Sequence, residues 1–385
     1  MKRANYLLIL IISALGCRKP YNPSVIASPE SYLVVEGVIN SGADSTLIKL
    51  SKTVNLSGVA VANPVLNATV TVESDQNSNY PLTELGNGNY ATYGLNLNNT
   101  HNYRLNIQTA DGKQYQSDFE PVTNTPPIDS VGFKMQSNGL QLYVNTHDPN
   151  NAINYYRWDY KETWQFHAKY ESEFVTNGTA IVYRPPAQSV YGCFGNDASS
   201  TILLGSSAKL KQAVIYQSPL TQIASTSEKI ETKYSILVSQ YALTGDAYNF
   251  WVNLKQNTEE LGSIFDAQPS NINGNMHCIT NPSEPVIGYI SVCTVQQKRI
   301  FISNSQLPQT WFPTYPYSCN VDTAWYCAPI TCQNQVAQFL IPPGSGEIPI
   351  TSLTAGPAII GFLATEPDCV DCTLRGTTTQ PAFWK

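Results

Sequence analysis

Apolar and polar residues alternate in short segments from residue 32 onward, and this pattern predicts a series of β-strands. In Ala68–Glu73 every second residue is apolar, which is the period of a strand with one buried face. Asp111-Gly112 is a strong hairpin signal between two such segments. About seven short strands at this spacing are typical of an immunoglobulin-like sandwich. We therefore predict such a β-sandwich over residues 30–122, followed by the linker Thr123–Pro127.

Residues 128–385 continue with strands and predict a larger β-rich domain. The longest candidate strand is Tyr155–Tyr170. Six of its residues share one face of an extended chain: Tyr156, Trp158, Tyr160, Glu162, Trp164 and Phe166. A face of this kind is more often core than binding cleft, so we interpret it as core.

One segment of this second domain has the pattern of an amphipathic helix. It runs from Leu243 to Leu261, with Thr244 as N-cap and Asp246 in the first turn, where a negative charge favours the helix dipole. Gly262 is predicted to end it. We interpret the helix as a brace packed on a sheet.

The start of the chain has the pattern of a bacterial export signal. Lys2 and Arg3 precede an apolar stretch of about ten residues, too short to span ~30 Å of hydrocarbon as a helix. The following Ala14-Leu15-Gly16-Cys17 resembles the lipobox, in which the cysteine thiol receives a diacylglycerol. We predict a signal peptide over residues 1–16, lipidation of Cys17 and a tether over residues 17–29. The alternative is an ordinary signal peptide with an incidental cysteine.

Composition agrees with an exported β-rich protein and excludes one class of partner. Charged residues make up 13% of the chain, which also contains 23 Tyr and 25 Pro. The net charge of −6 and the lack of a basic cluster argue against binding nucleic acid, which requires neutralised phosphates. We predict no nucleic-acid partner.

The cysteines predict a disulfide framework confined to the second domain. The chain has nine cysteines, and those other than Cys17 all follow residue 190: Cys193, Cys278, Cys293, Cys319, Cys327, Cys332, Cys369 and Cys372. An even set in an exported chain predicts up to four disulfides, whose pairing the sequence leaves open. The first domain must then be held together by its core alone.

No pattern in the chain predicts catalysis or a cofactor. The four histidines, His101, His147, His167 and His277, are scattered, and we interpret each as structural. His277 precedes Cys278, a pair that could bind metal, but in an exported protein we expect Cys278 in a disulfide. Cys369-Val370-Asp371-Cys372 is a CxxC motif, which zinc and redox sites use. We favour a local disulfide between its two cysteines, or two separate bridges to the loop cysteines, and predict no metal.

A loop rich in proline and aromatic residues is the candidate contact surface. Its residues Trp311, Phe312, Tyr315 and Tyr317 could stack on sugar rings or pack on a partner. The alternative is that these rings fold back onto their own domain.

Six ordered blocks of the sequence carry a family resemblance. They are Leu33–Gly37, Tyr155–Trp158 with Glu162–Trp164, Tyr241–Trp251, Leu261–Ser270, Val286–Tyr289, and Cys369–Cys372 with Pro381–Trp384. Together they resemble the DUF4249 family of Bacteroidota outer-membrane lipoproteins, and the resemblance covers nearly all of the mature chain. Genes of this family commonly lie beside a TonB-dependent receptor, so the resemblance implies a lipoprotein partnering a β-barrel importer. Arg18-Lys19-Pro20 follows Cys17 where surface lipoproteins of this phylum often carry acidic residues, so the membrane leaflet stays open.

These observations predict a non-enzymatic, lipid-anchored binding or accessory protein of the outer membrane that partners a TonB-dependent receptor in nutrient uptake. One alternative is a structural or adhesive surface lipoprotein without a transporter. Another is an extracytoplasmic hydrolase or redox protein, since an active site built from distant residues leaves no local motif.

Overall fold

The computed structural model describes residues 31–54, 63–259, 274–315, 317–330, 332–341 and 346–385. The predicted signal peptide, Cys17 and the tether lie outside these ranges. So do Leu261, Gly262 and the whole block Leu261–Ser270.

The described ranges are mainly β, as predicted. The strands are β1 Leu33–Asn40, β2 Ser45–Lys52, β3 Thr69–Ser74, β4 Asn79–Gly86, β5 Asn89–Tyr93, β6 Asn102–Gln108, β7 Gln114–Ser117, β8 Glu120–Pro121, β9 Ile128–Gln136, β10 Gly139–His147, β11 Tyr155–His167, β12 Phe174–Thr176, β13 Ile181–Tyr183, β14 Gly192–Ala198, β15 Leu203–Ser206, β16 Val214–Ala224, β17 Lys233–Ala242, β18 Met276–Cys278, β19 Ser291–Cys293, β20 Val295–Ser303, β21 Asp322–Trp325, β22 Ile348–Ala355 and β23 Ala358–Thr365. The α-helix of these ranges is α1, Gly245–Thr258. Short 3₁₀ turns lie at Pro186–Gln188, Glu228–Ile230, Asn304–Gln306, Pro367–Cys369 and Cys372–Leu374, and a π-helical turn at Val336–Leu340.

The N-terminal sheet is one continuous sheet that curls into a half-barrel. Its described strands follow the order β18-β7-β6-β3-β4-β5-β2-β1-β19, with β8 beside β6. Because β4 pairs with both β3 and β5, the two halves of the predicted sandwich are joined. Alternation along each strand fills the core: in β2, Thr46, Ile48 and Leu50 are buried, whereas Leu47 and Lys49 are exposed.

Segments from much later in the chain complete both edges of this sheet. Strand β19 pairs parallel with β1, and β18 pairs antiparallel with β7. The backbone N–H of Val35 donates to the carbonyl of Ile287 over 2.8 Å. Glu120, in the short β8, accepts hydrogen bonds from the Asn275 amide (3.0 Å) and the Tyr289 hydroxyl (2.7 Å). The N-terminal sheet therefore includes β18 and β19, although both follow helix α1 in the chain.

The segment interpreted as a linker is bound to this later part of the chain. Thr123 N–H donates to the Val292 carbonyl (2.9 Å), and Thr125 N–H donates to the Thr294 hydroxyl (2.8 Å).

A second sandwich forms the centre of the molecule. One layer has the order β16-β10-β9, and the other has the order β14-β11-β17-β20, with β15 beside β11. Their facing side chains form one buried cluster. All six residues of the predicted β11 face are buried, which confirms that this face is core.

Helix α1 begins as predicted and packs beside β11. The Thr244 hydroxyl accepts the backbone N–H of Ala247 (3.2 Å), and Asp246 lies in the first turn. Ala247 and Phe250 are buried against Leu243 and Tyr289. The helix therefore braces the central sandwich near the N-terminal sheet.

The C-terminal residues add a smaller body with its own core. Sheet β21-β23-β22 and hairpin β12-β13 enclose Phe174, Ala324, Val336 and Phe362 among other residues. This core is small, which makes the Cys193–Cys372 disulfide to β14 of the central sandwich important for its stability.

Strand β4 has a weak hydrophobic pattern. Of its eight residues only Leu82 is buried. Asn87 and Gly88 between β4 and β5 have φ of 52° and 75°, as a two-residue hairpin turn requires. A side chain at Gly88 would also come within 2.3 Å of the Leu50 carbonyl.

Candidate binding cleft and cysteine framework

A cleft of about 670 Å³ lies between the N-terminal sheet and the central sandwich. One wall is the outward face of β1, β2 and β5, with Glu36, Leu47, Lys49 and Tyr93. The opposite wall is the outward face of β11, β17 and β20, with Arg157, Asp159, Lys161, Ser239, Tyr241 and Gln297. The volume is within the range of about 300–1,000 Å³ typical of small-molecule sites.

Strand alternation explains why the cleft is polar. Tyr156 and Trp158 point into the core of the central sandwich and are buried, so their neighbours Arg157 and Asp159 point to the opposite face. The same period in β2 turns Lys49 away from the half-barrel core. The cleft is thus formed by two polar sheet faces whose reverse sides make the two largest cores.

Arg157 is a cleft charge that contacts two aromatic rings. Its guanidinium carbon lies 4.6 Å from the centroid of the Tyr241 ring and 4.4 Å from that of Trp251 on α1. A cation this close to aromatic faces is stabilised by their quadrupoles. Helix α1 therefore positions this arginine, a role that helix periodicity alone could not reveal.

The hydrogen-bonding capacity of Arg157 is only partly used. Its Nε is buried and has no hydrogen-bond partner among the described residues. No carboxylate in the described ranges forms an ion pair with it. Asp159, two residues away, instead accepts a hydrogen bond from the Tyr241 hydroxyl at 2.8 Å. Burial, with the nearby Asp159 carboxylate, raises the pKa of Tyr241, so the phenol stays a protonated donor.

The cleft as a whole is close to neutral. Its lining includes the acidic residues Glu36, Asp44 and Asp159 and the basic residues Lys49, Arg157 and Lys161. Lys49 pairs with Glu36 at 3.6 Å on the solvent-exposed rim. Tyr93 is 77% exposed and offers a ring face to a bound molecule.

Three of the four aromatic residues predicted as a contact surface fold back onto the protein. Trp311 packs against the central core. The Tyr315 hydroxyl donates to Glu231 (3.1 Å), and Arg375 donates to the Tyr317 hydroxyl (2.8 Å). Phe312 is 69% exposed. The structure therefore does not bring these four residues into one exposed surface.

Six of the predicted disulfide cysteines are paired in the described ranges. The bridges are Cys193–Cys372, Cys319–Cys369 and Cys327–Cys332, with sequence separations of 179, 50 and 5. The first two join the C-terminal body to β14 and to the aromatic loop. The two cysteines of the CxxC motif therefore belong to two separate bridges and not to a local disulfide. Cys369 bonds to the loop cysteine Cys319, whereas Cys372 bonds to Cys193 on β14.

The expected bridges at Cys278 and Cys293 are absent, since both are free and buried. The two cysteines lie on β18 and β19, the opposite ends of the strand order. The Cys278 side chain belongs to the half-barrel core, and the Cys293 side chain is fully buried. Cys278 Sγ lies 3.5 Å from the Thr280 hydroxyl. Burial raises the pKa of the Cys293 thiol to about 12. These thiols act as small core residues.

The histidines lie apart from one another and from the cleft lining. His147 contacts Asp129 (2.8 Å), and His277 contacts Asp118 (3.1 Å). His167 stacks on Tyr191 with ring centroids 4.7 Å apart. Within the described ranges, no three His, Cys, Asp or Glu residues are arranged to hold a metal ion.

Comparisons with known proteins identify a family but no function. A family model described as "Domain of unknown function (DUF4249)" matches residues 18–299. The closing block, Cys369–Cys372 with Pro381–Trp384, lies beyond this match. No curated protein matches the chain. Among solved structures, chitinase ChiA74 from Bacillus thuringiensis is similar at 11% identity and a TM-score of 0.16, over 50% of this chain and 28% of the chitinase. A likeness this weak supports no inference about activity.

Proposed function

The chain belongs to the DUF4249 family, and from this membership and the geometry of the cleft we propose that it is a lipid-anchored, non-enzymatic binding protein of the outer membrane. In this proposal it captures a ligand and serves as an accessory subunit of a TonB-dependent receptor in nutrient uptake.

The cleft between the two polar sheet faces is the observation that carries the proposal. It has the volume of a small-molecule site. Its walls are formed by strands within two cored bodies, which gives a binding site a rigid frame. Arg157, which contacts the Tyr241 and Trp251 rings, supplies a positioned polar group.

The proposed anchor is Cys17. The family match begins at residue 18, directly after this cysteine. In the described ranges, no helix has the length and apolar character needed to cross a bilayer. A cysteine with two or three acyl chains holds a protein on a membrane far more firmly than one chain, since each buried methylene adds ~0.8 kcal/mol.

Affinity purification from detergent-solubilised outer membranes tests the partnership. Full-length protein with a C-terminal tag should recover a TonB-dependent β-barrel receptor under mild conditions. Cys17→Ala serves as the matched control and should lose membrane association. Recovery of the wild-type protein without any such receptor would argue strongly against the proposal.

A surface structural or adhesive role is the second candidate, and one feature favours it. Residues 301–374 contain no Lys or Arg and five Asp or Glu, a smaller charged share than the 13% of the whole chain. This region exposes Ile330 (97%) and Phe312. Surfaces depleted in charge and enriched in apolar groups are typical of interface cores. Binding to a host or matrix surface by protein that recovers no receptor would favour this alternative.

A further inference from the structure

The chemistry of Arg157 in the cleft indicates which group of a ligand is recognised. The carbon of its planar guanidinium lies 4.6 Å from the centroid of the Tyr241 ring and 4.4 Å from that of the Trp251 ring. Contacts of this kind use the charge of the guanidinium but none of its N–H donors. Its donors are arranged as a fork that matches two oxygens of one carboxylate.

We propose that Arg157 binds a carboxylate of the ligand through paired hydrogen bonds in the cleft. This inference rests on the proposed function, because it names the ligand chemistry of the same cleft. Two sources could supply the group: an acidic sugar or the C terminus of a short peptide.

No acidic residue in the described ranges forms an ion pair with Arg157, so a ligand can take the place beside its guanidinium. Asp159, the acidic cleft residue nearest in sequence, already accepts the Tyr241 hydroxyl. Glu36 pairs with Lys49 on the opposite wall. Arg157 Nε has no partner among the described residues although it is buried, and buried donors normally have one. A ligand carboxylate would supply the missing negative charge beside this arginine.

The remaining lining would contact the body of the ligand. Asn89, Ser239 and Gln297 offer amide and hydroxyl groups, and Tyr93 offers an exposed ring. Since the three acidic and three basic residues of the lining balance, the cleft has no overall preference for anions. A single carboxylate on an otherwise polar, uncharged ligand matches this lining better than a polyanion does.

Calorimetric titration of the detergent-solubilised full-length protein tests the inference with paired probes. The first pair is the disaccharide cellobiouronate, which carries one carboxylate, and the neutral disaccharide cellobiose. The second pair is the N-acetylated tripeptide Ser-Ala-Gly with a free or an amidated C terminus. At constant ionic strength, one acidic probe should bind at least ~10-fold more tightly than its neutral counterpart. The pair that shows this difference identifies the source of the carboxylate.

Variants of the protein locate the contact. Arg157→Gln should weaken binding of the acidic probe about 10- to 100-fold, the range expected for a charged hydrogen-bond pair. Arg157→Lys should weaken it about 5-fold or more, because an ammonium keeps the charge but loses the planar fork. Lys209→Gln removes the same charge at an exposed loop residue outside the cleft and should change affinity less than ~2-fold. Thermal unfolding of each variant checks that it is folded. If Arg157→Gln does not fold, Arg157→Lys alone tests the contact.

Three results would overturn the inference: no binding of either acidic probe, equal affinity for the acidic and neutral members of both pairs, or undiminished binding by the Arg157 variants. None of these affects recovery of the receptor from membranes, so failure here is separable from failure of the proposed partnership. Conversely, carboxylate binding without a receptor would support the cleft and contradict only the partnership.

Discussion

The N-terminal sheet and the C-terminal body are stabilised in different ways. The N-terminal sheet has a large core and two free buried cysteines, and its edges are completed by β18 and β19. The C-terminal body has a small core and is joined to the rest by disulfides. Both regions hold together residues that are distant in sequence. The N-terminal sheet does so by strand pairing and burial, and the C-terminal body does so by covalent bonds.

This contrast also explains the position of the cleft. The cleft lies between the two bodies with large cores, the half-barrel and the central sandwich. Residues 274–294 follow helix α1 in the chain, complete the half-barrel and lead directly into β20 of the central sandwich. The two walls of the cleft are therefore connected through this segment.

Removal of the longest bridge should have the largest effect. Cys193→Ala with Cys372→Ala opens a bridge of sequence separation 179, and loop-closure entropy predicts a loss of about 5 kcal/mol in the free energy of unfolding. The control pair, Cys327→Ala with Cys332→Ala, opens a bridge of sequence separation 5. It should lower the free energy of unfolding by only about 2 kcal/mol. Urea unfolding measures both. Equal losses would contradict the role assigned to the long bridge.

A core substitution late in the chain should destabilise the N-terminal sheet. Ile290 is fully buried in the half-barrel core, and Ile290→Ala should cost about 3 kcal/mol. Hydrogen exchange should accelerate in β1 and β2, more than 200 residues earlier in the sequence, and stay unchanged in β22 and β23. Ile330→Ala, at an exposed site, is the control and should change stability by less than about 0.5 kcal/mol. Unchanged hydrogen exchange in β1 would show that the stability of the N-terminal sheet does not depend on residues 274–294.

Glu284, which pairs with Lys113 and accepts a hydrogen bond from Tyr115 of β7, should give the N-terminal sheet a defined pH dependence. Burial would raise the pKa of Glu284, but hydrogen bonds from Lys113 (2.6 Å) and Tyr115 (2.8 Å) outweigh it, and the pKa is lowered. A lowered carboxyl pKa contributes stability that is present above the unfolded value of ~4.3 and is lost as the pH falls through the folded value.

Glu284→Gln should therefore cost about 2 kcal/mol at neutral pH and flatten the loss of stability on acidification. Denaturant unfolding between pH 3 and pH 7 measures both effects. Glu171→Gln, at an exposed residue, should leave the pH profile unchanged. A Glu284→Gln profile as steep as that of the wild type would contradict the assignment.

The smallest effect is expected at the start of helix α1, which braces the cleft. Thr244→Ala removes the hydroxyl that accepts the Ala247 N–H and should cost about 1 kcal/mol. Gln256→Ala, at an exposed position of the same helix, should be close to neutral. Thermal unfolding distinguishes the two variants, and equal melting temperatures would show that Thr244 does not act as a cap.

Local patterns predicted the elements that are stabilised locally. The β11 face and the Thr244 cap both follow from side-chain period and capping chemistry within one element. Strand β4, with one buried residue, has a weak hydrophobic pattern. Strands β18 and β19 are three residues each, and they exist because distant partners pair with them.

The candidate cleft could not be predicted for a related reason. Alternation shows that Arg157 and Asp159 lie on the face of β11 opposite Trp158, but not which surface they oppose. Only the packing of the two bodies brings Glu36 and Lys49 to the other wall. The disulfide pairing is likewise a property of the topology, since the two cysteines of the CxxC motif bond to different strands and loops.

The state of Cys17 tests the central proposal, an anchored binding protein, most directly. Mass spectrometry of the N-terminal peptide of full-length protein from its native membranes should find a mature chain that begins at Cys17 and carries diacylglycerol on sulfur. A water-soluble mature protein with an unmodified Cys17 would contradict the anchor and, with it, the proposed place beside a receptor.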